Sequence, residues 1–332
     1  MDGLREWMER RWYGAPAPLA LRPLSALYGW ISRRRRRQFS ASPQPLRVPV
    51  VVVGNISVGG TGKTPLVIYL IERLRAWGFQ PGVIARGYGG KADHYPLFVG
   101  AQTSAELAGD EPTLVAQRTG APVFVSPDRL AAARALLAAK PEVDLIISDD
   151  GLQHYRLARD VEICVVDGAR GLGNGALLPA GPLREPRSRL DEVALLAING
   201  DGFTHHHPHQ IRYQRRIQHA IHLVDKTKSD LSDFSGQRVH AVAGIGKPAA
   251  FFDALRAFGI ELIEHAFADH HRFSESDLRF DDALPVLMTE KDAVKCAGFD
   301  LNRLHAVPLE IALDPSAERR VRELIEPLRQ KG

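Results

Sequence analysis

Val48-Pro49-Val50-Val51-Val52-Val53 runs directly into Gly54-Asn55-Ile56-Ser57-Val58-Gly59-Gly60-Thr61-Gly62-Lys63-Thr64, and then into Pro65-Leu66-Val67-Ile68-Tyr69-Leu70-Ile71-Glu72-Arg73-Leu74. The first run is short, apolar and β-branched, the pattern of a strand buried in a parallel sheet. The last run has helical periodicity. Strand, glycine-rich turn, Gly-Lys-Thr and helix, in that order, are the setting that a phosphate-binding loop requires. Glycines let backbone N–H groups turn inward around phosphate oxygens, and the helix N-terminus adds its positive end. Ser57, Val58, Gly59, Gly60, Thr61, Gly62, Lys63 and Thr64 are therefore the candidate nucleotide-binding residues. Lys63 is placed to reach the terminal phosphates, and the Thr64 hydroxyl to hold Mg²⁺. Ser57 stands where the loop usually has its first glycine; Gly59 and Gly60 supply the flexibility instead.

Downstream, Val143-Asp144-Leu145-Ile146-Ile147-Ser148 leads into Asp149-Asp150-Gly151-Leu152-Gln153-His154. An apolar strand ending in acid presents a carboxylate toward the phosphate loop, where it binds Mg²⁺ directly or through water. Adjacent residues of an extended chain point to opposite sides, so one of Asp149 and Asp150 is expected to meet the metal directly. Between the two motifs, Gly109-Asp110-Glu111-Pro112 precedes a helical stretch. Local chemistry favours Asp110 as a helix cap over a general base for an attacking hydroxyl. Arg86-Gly87-Tyr88-Gly89-Gly90 follows the apolar strand 82–85 and puts a cation on the sheet edge that carries the phosphate loop. Ala180-Gly181-Pro182-Leu183-Arg184-Glu185-Pro186 is a rigid, charged loop. Arg86 and Arg184 are candidate phosphate or substrate contacts.

The second half opens on a polar, His-rich stretch, with His205, His206, His207 and His209 among Gly, Asp and Pro. Without matching acids it is read as a solvated linker over 201–225 rather than as a metal site. Strands are then expected at 239–243, 260–267 and 284–288, with a helix at 249–258, giving a second, smaller α/β unit. Gly244-Ile245-Gly246-Lys247 lacks the Gly-Lys-Ser/Thr ending and is read as a turn. Asp269-His270-His271 closes the second of these strands.

The chain has 332 residues, 45% hydrophobic and 25% charged, with two cysteines. These values exclude a disordered chain, a disulfide framework and a polytopic membrane protein. The net charge of +4 is concentrated at one end: residues 1–37 carry nine Arg against three acids, a net +6 that leaves −2 for the remainder. Trp7, Trp12, Trp30, Tyr13 and Tyr28 share that segment. Leu24, Leu27, Tyr28 and Ile31 fall on one helix face, and Arg33 to Arg37 follow. Aromatics, an apolar helix face and a cationic cluster suit a helix lying on an anionic bilayer surface, more than a core helix or a nucleic-acid arm. The expected domains are 1–37 as the membrane-associating segment, 38–200 carrying the phosphate loop, the 201–225 linker, and 226–332.

Taken together, these motifs resemble the lipid A 4′-kinase (tetraacyldisaccharide 4′-kinase) family. The likeness rests on 54–65, Ala85-Arg86-Gly87-Tyr88-Gly89, Gly109-Asp110-Glu111-Pro112, Asp149–His154, Gly181–Pro186, Phe267–His271 and Thr289-Glu290-Lys291-Asp292, in the family's order. The family's tolerance of Ser57 strengthens the match. The resemblance implies an α/β fold: a P-loop NTPase-like parallel sheet with helices on both faces, a smaller C-terminal α/β domain and an N-terminal membrane-associating helix. It implies a phosphotransferase that moves the γ-phosphate of ATP, with Mg²⁺, to the 4′-hydroxyl of a tetraacylated glucosamine disaccharide 1-phosphate. Its place would be the cytoplasmic face of the bacterial inner membrane, with no nucleic acid and no obligate protein partner. The family's acid–histidine pair corresponds to Asp110 and His270, with Lys63, Thr64, Asp149 and Asp150 at the phosphates and metal. With His270 assigned to the far domain, closure is expected to bring it to Asp110. The competing class is a membrane-associated P-loop ATPase switch of the partition or septum-positioning type. That class carries a signature Lys where this chain has Val58.

Overall fold

The computed structural model describes residues 2–296, 298–299 and 302–331. In chain order its elements begin with α1 (Asp2–Gly14), α2 (Arg22–Ser40), β1 (Val50–Gly54), α3 (Lys63–Ala76) and β2 (Pro81–Ala85). Next come β3 (Leu97–Val99), α4 (Ala105–Ala108), α5 (Asp110–Thr119), β4 (Val123–Val125), α6 (Arg129–Ala139), β5 (Leu145–Asp149), β6 (Val161–Asp167), β7 (Leu195–Asn199) and β8 (Gln210–Arg216). The remainder is β9 (His219–His222), β10 (Lys228–Asp230), β11 (Arg238–Ala243), α7 (Pro248–Arg256), β12 (Glu261–Ala266), β13 (Val286–Thr289), α8 (Glu290–Ala293), β14 (Leu304–Val307) and α9 (Pro315–Ile325).

The chain divides into two compact units, each assembled from separated segments. The first comprises Met1–Arg86, Ser126–Gln214 and Ala312–Gly332; the second comprises Gly87–Val125 and Arg215–Ile311. In the first, six parallel strands run in the order β8-β7-β6-β1-β5-β2. Val50–Gly54 and Leu145–Asp149 are buried along their whole lengths, as a strand flanked on both edges and covered on both faces must be. Helix α3 packs over β1, β2 and β5 with Leu66, Val67, Leu70, Ile71 and Leu74 inward. Register places Asp149 beside Val53, one residue before the phosphate loop begins. Helix α9 returns to this unit, where Glu318 pairs with Arg73 at 3.6 Å and Arg320 donates to the Gln210 carbonyl at 2.8 Å.

The second unit holds a six-stranded sheet, β10-β9-β14-β13-β11-β12. Its β12, β11, β13 and β14 are parallel, while β9 and β10 join antiparallel. Strands β3 and β4, separated in the chain by α4 and α5, pair antiparallel in the same unit. The core on one side of the sheet gathers Phe251, Phe252, Leu255, Val239, Ala241 and Leu287.

Two expectations differ from this arrangement. Residues 87–125 belong with 215–311 rather than with the phosphate loop. The stretch 201–225 is not an unstructured linker, because β8 and β9 lie within it. His207 is buried, its ring nitrogens bonded to the carbonyls of Val193 (3.1 Å) and His209 (2.7 Å), while His205 meets Asp191 at 2.7 Å. Alternation of Ile211 and Tyr213 as the buried residues of β8 is the period-2 signal that its polar composition hid.

Helix α2 turns its small residues inward. Ser25 donates to the Leu177 carbonyl at 2.8 Å and accepts from the Ala180 N–H at 3.0 Å. A Cβ on Gly29 would stand 2.6 Å from Leu177 Cδ1, so a larger residue there would have to push that side chain aside. Leu24, Leu27, Trp30 and Ile31 remain exposed on the helix. Among the described residues no helix is long and apolar enough to cross a membrane.

Candidate active site

The phosphate loop is held from below by side chains that no local motif announces. Asn199, ending β7, donates to the Thr61 carbonyl at 3.0 Å, and the Tyr213 hydroxyl donates to the Gly62 carbonyl at 3.1 Å. Gly62 has φ +87°, and a Cβ there would lie 2.5 Å from Asn199 Nδ2. Glycine is therefore required twice over, by conformation and by contact. The other limb of the loop is paired to the 182–184 segment. Val58 donates its N–H to the Pro182 carbonyl at 2.9 Å, Arg184 donates to the Ile56 carbonyl at 2.7 Å, and Ser57 bridges Leu183. Ser57 thus serves as a strand partner, a role that a glycine would serve less rigidly.

That pairing delivers the Arg184 side chain to Asp150, at 3.1 Å, while Lys63 Nζ stands 3.4 Å from the same carboxylate. Asp150 has φ +49° and so leaves the line of β5 at once. Burial alone would raise its pKa; Lys63 and then Arg184 outweigh that and hold it down at about 2. Asp149 is buried at the strand end, and its carbonyl accepts from Arg129 at 3.3 Å. Burial lowers the Arg129 pKa to about 10 against the pull of Asp149 and Asp150, which leaves it charged at neutral pH. Gln153 ties the group together, donating to the Asn55 carbonyl at 3.0 Å and to Glu185 at 2.6 Å. Glu185 is buried against Tyr155 and Arg189. Arg86 is exposed at the end of β2.

The residues fit a magnesium nucleotide. The donor set of Thr64 hydroxyl and Asp149 carboxylate is all oxygen, and the Thr61 hydroxyl is a buried polar group with no hydrogen-bond partner among the described residues. No three His, Cys, Asp or Glu side chains converge on one point among the described residues. Mg²⁺ is ordinarily held by one or two carboxylates together with the phosphates themselves, so no such cage is needed.

The second unit carries the other group of predicted residues. His270 Nδ1 lies 2.8 Å from Asp110 Oδ2. An ionised carboxylate only accepts, so Nδ1–H is the donor. His270 has φ +62°, and the Tyr88 ring meets its edge at 6.3 Å between centroids. The helix-cap reading of Asp110 does not hold: the cap position of α5 is Gly109, and Asp110 is the first helical residue, with its side chain turned to His270. Gly109 has φ +89° and packs so closely that a Cβ would stand 2.4 Å from the Tyr88 carbonyl oxygen. Nor is closure needed to join the pair, since both residues stand in one unit and already touch.

The fold and the first group define a P-loop α/β phosphotransferase, and the second group adds a carboxylate–imidazole pair suited to drawing a proton from a hydroxyl. The match to known proteins is more particular. The family model described as LpxK, tetraacyldisaccharide-1-P 4′-kinase, matches residues 17–326, and the chain belongs to that family. A tetraacyldisaccharide 4′-kinase of Pseudomonas paraeruginosa is 50% identical over 299 residues, 87% of each chain. One of Alcanivorax borkumensis is 48% identical over 318 residues, covering 94% of this chain and 95% of its own. Among solved structures, LpxK from Aquifex aeolicus in complex with ATP superposes with a TM-score of 0.81 at 29% identity, covering 93% of this chain and 98% of that one.

Proposed function

We propose that this chain transfers the γ-phosphate of ATP to the 4′-hydroxyl of a tetraacylated glucosamine disaccharide 1-phosphate, a step of lipid A biosynthesis, at the cytoplasmic face of a bacterial inner membrane. The observation that carries the choice of acceptor chemistry is the 2.8 Å contact of Asp110 with His270. An ATPase switch activates water beside its phosphate loop and needs no such pair on a separate unit.

In this reading Lys63 and the loop N–H groups bind the β- and γ-phosphates, and Arg184 adds a second cation beside Asp150. ATP phosphates compete with Asp150 for Lys63, so nucleotide binding exchanges one anionic partner for another. Thr64 and Asp149 would hold Mg²⁺, which when bound neutralises charge on the phosphates. Asp110 accepts the proton as the acceptor oxygen bonds to phosphorus, and the bond from phosphorus to the β,γ-bridging oxygen breaks to release ADP. His270 donates to Asp110 throughout and fixes its orientation.

An acylated acceptor stays in the bilayer, so the enzyme must come to it. The exposed Leu24, Leu27, Trp30 and Ile31, next to the Arg33–Arg37 run, give α2 an apolar face and a cationic flank for that surface. Arg36 is not part of the flank: it pairs with Glu192 and lies over the Tyr155 ring.

The test uses γ-labelled ATP, Mg²⁺ and a detergent-dispersed acylated glucosamine disaccharide 1-phosphate, with Asp110→Ala alongside. Label should enter lipid with the parent and not with the variant. Label released only as inorganic phosphate, unchanged by lipid, would move the assignment to the ATPase switch.

A further inference from the structure

The Thr289-Glu290-Lys291-Asp292 motif has no part in the chemistry above, yet every member has a place around Asp110. Thr289 caps α8, accepting from the Asp292 N–H at 3.2 Å. Glu290 pairs at 3.0 Å with Arg118, which sits on α5, the helix that begins with Asp110. Lys291 faces Asp269 at 3.9 Å. Asp292 is wholly buried. Its Oδ2 accepts from the Gly244 N–H at 2.8 Å and from the Thr289 hydroxyl at 2.6 Å, and its Oδ1 accepts from Lys295 Nζ at 2.8 Å. Lys295 is itself only 7% exposed in its side chain, and its Nζ stands 3.6 Å from Asp110 Oδ2.

His270 and Lys295 therefore approach the same oxygen of Asp110. His270 Nδ1 is 2.8 Å and Lys295 Nζ 3.6 Å from Oδ2, which is the carboxylate oxygen on which both contacts are made. We propose that Lys295, locked by Asp292 and Thr289, is a positioning residue for the acceptor base: with His270 it secures Oδ2 and leaves Oδ1 as the atom that takes the hydroxyl proton. The inference rests on Asp110 being that base. Lysine suits the task because a buried ammonium with one carboxylate at hydrogen-bond distance and a second slightly beyond it is fixed in place, and a fixed charge fixes its neighbour.

The alternative is that Lys295 only neutralises the buried Asp292. The two readings differ in what happens to Asp110. Burial raises the Asp110 pKa, but the His270 hydrogen bond, then Lys295 and Lys291, outweigh it and lower it. A lowered carboxylate stays ionised as pH falls, so losing Lys295 must move the acid limb of the kcat/KM profile upward. The other charged groups of this neighbourhood are Asp269 beside His270, Asp292 beside Lys295, and the pairs Arg118–Glu290 and Arg272–Glu106. All of them remain in place in the variants below except Asp292, where it is named.

The experiment measures kcat/KM against pH for lipid phosphorylation in Lys295→Met, in Lys295→Met/Asp292→Asn, and in Lys295→Arg. An opposite charge within about 4–6 Å shifts a carboxylate by about one unit or more, so Lys295→Met should move the acid limb up by about that amount. The double variant removes the partner charge as well, avoids an uncompensated buried carboxylate, and should move the limb in the same direction by less. Lys295→Arg should leave the limb within about 0.3 units, because the charge is kept. Nucleotide affinity, read on the other unit's residues, should match the parent in all three. If Asp110→Ala abolishes transfer and the limb stays at the parental pH in both Met-containing variants, the positioning role is refuted while the base stands. If Asp110→Ala retains transfer, the base assignment itself falls. Should Lys295→Met not fold, the double variant alone decides.

Discussion

Replacing Gly62 by Ala tests whether the phosphate loop works through its backbone shape. Two costs can be worked from the geometry. The residue sits at φ +87°, where a Cβ clashes with the following carbonyl and costs about 1–2 kcal/mol. The new methyl would also stand 2.5 Å from Asn199 Nδ2 and 3.2 Å from its Cγ, so Asn199 must withdraw. Its hydrogen bond to the Thr61 carbonyl, 3.0 Å and buried, is then lost, at about 1–3 kcal/mol. The sum of about 2–5 kcal/mol falls on the binding-competent loop, which corresponds to about 30-fold to several-thousand-fold weaker ATP binding.

The assay is calorimetric or fluorescent nucleotide binding, with Gly60→Ala as the comparison. A Cβ on Gly60 meets nothing within 4 Å and its φ is not left-handed, so its loss should be less than about tenfold. A double-mutant cycle sharpens the argument. In an Asn199→Ala background the steric part of the Gly62→Ala cost is gone, leaving only the conformational part of about 1–2 kcal/mol. Parental ATP affinity in Gly62→Ala would refute the reasoning, as would an equal cost with and without Asn199, since the contact would then contribute nothing.

Three further outcomes follow from the same geometry. Arg189 is buried beside Glu185 and Glu162; Glu162 keeps Arg159 at 3.0 Å, but Arg189→Leu leaves the buried Glu185 without a cation and should cost about 3–5 kcal/mol, lowering the melting temperature by about 6 °C or more in a scan. Because Asp150 is held at about 2, below its unfolded value near 4, its pairing with Lys63 and Arg184 contributes stability above that unfolded value and loses it as pH falls toward 2. The melting-temperature gap between parent and Asp150→Asn, without nucleotide, should be flat from about pH 5 to 8 and should narrow below about pH 4. Replacing Leu24, Leu27, Trp30 and Ile31 together by Ser should cut co-sedimentation with anionic vesicles by about 100-fold or more while leaving ATP affinity unchanged. Deleting 1–37 would be a poorer test, because Trp12 donates to the Pro179 carbonyl at 3.0 Å and Ser25 bonds the 177–180 loop.

What the sequence made legible was local. The strand Val50–Gly54, the loop and Lys63–Thr64 are contiguous, and their periodicity and glycines specify them without help from elsewhere. The strand ending at Asp149 is legible for the same reason. The bracing of that loop was not, because Asn199 and Tyr213 lie 138 and 151 residues from their partners. A signal did exist for Asn199: it is the polar end of the apolar run Leu195–Ile198, at the carboxyl edge where such sheets place their functional groups.

Asp110 shows the limit most clearly. Read locally, an Asp at the start of a helix is a cap, and only the family resemblance raised it above that. Its true partner is 160 residues away, and the cation behind that partner, Lys295, is an ordinary lysine between two buried apolar residues until Asp292 is seen beneath it. The division into units was hidden for a related reason. A 39-residue segment, 87–125, leaves the nucleotide-loop unit and returns to it without any glycine- or proline-rich linker long enough to mark a boundary. This placement has a mechanistic consequence. Asp110, His270, Asp292 and Lys295 all belong to one unit, so on the proposed reading the base is assembled before any substrate arrives. Its orientation is then set by packing within that unit. A substitution there should change the pH dependence and rate of transfer while leaving ATP affinity alone, whereas Gly62 or Asn199 substitutions should do the reverse.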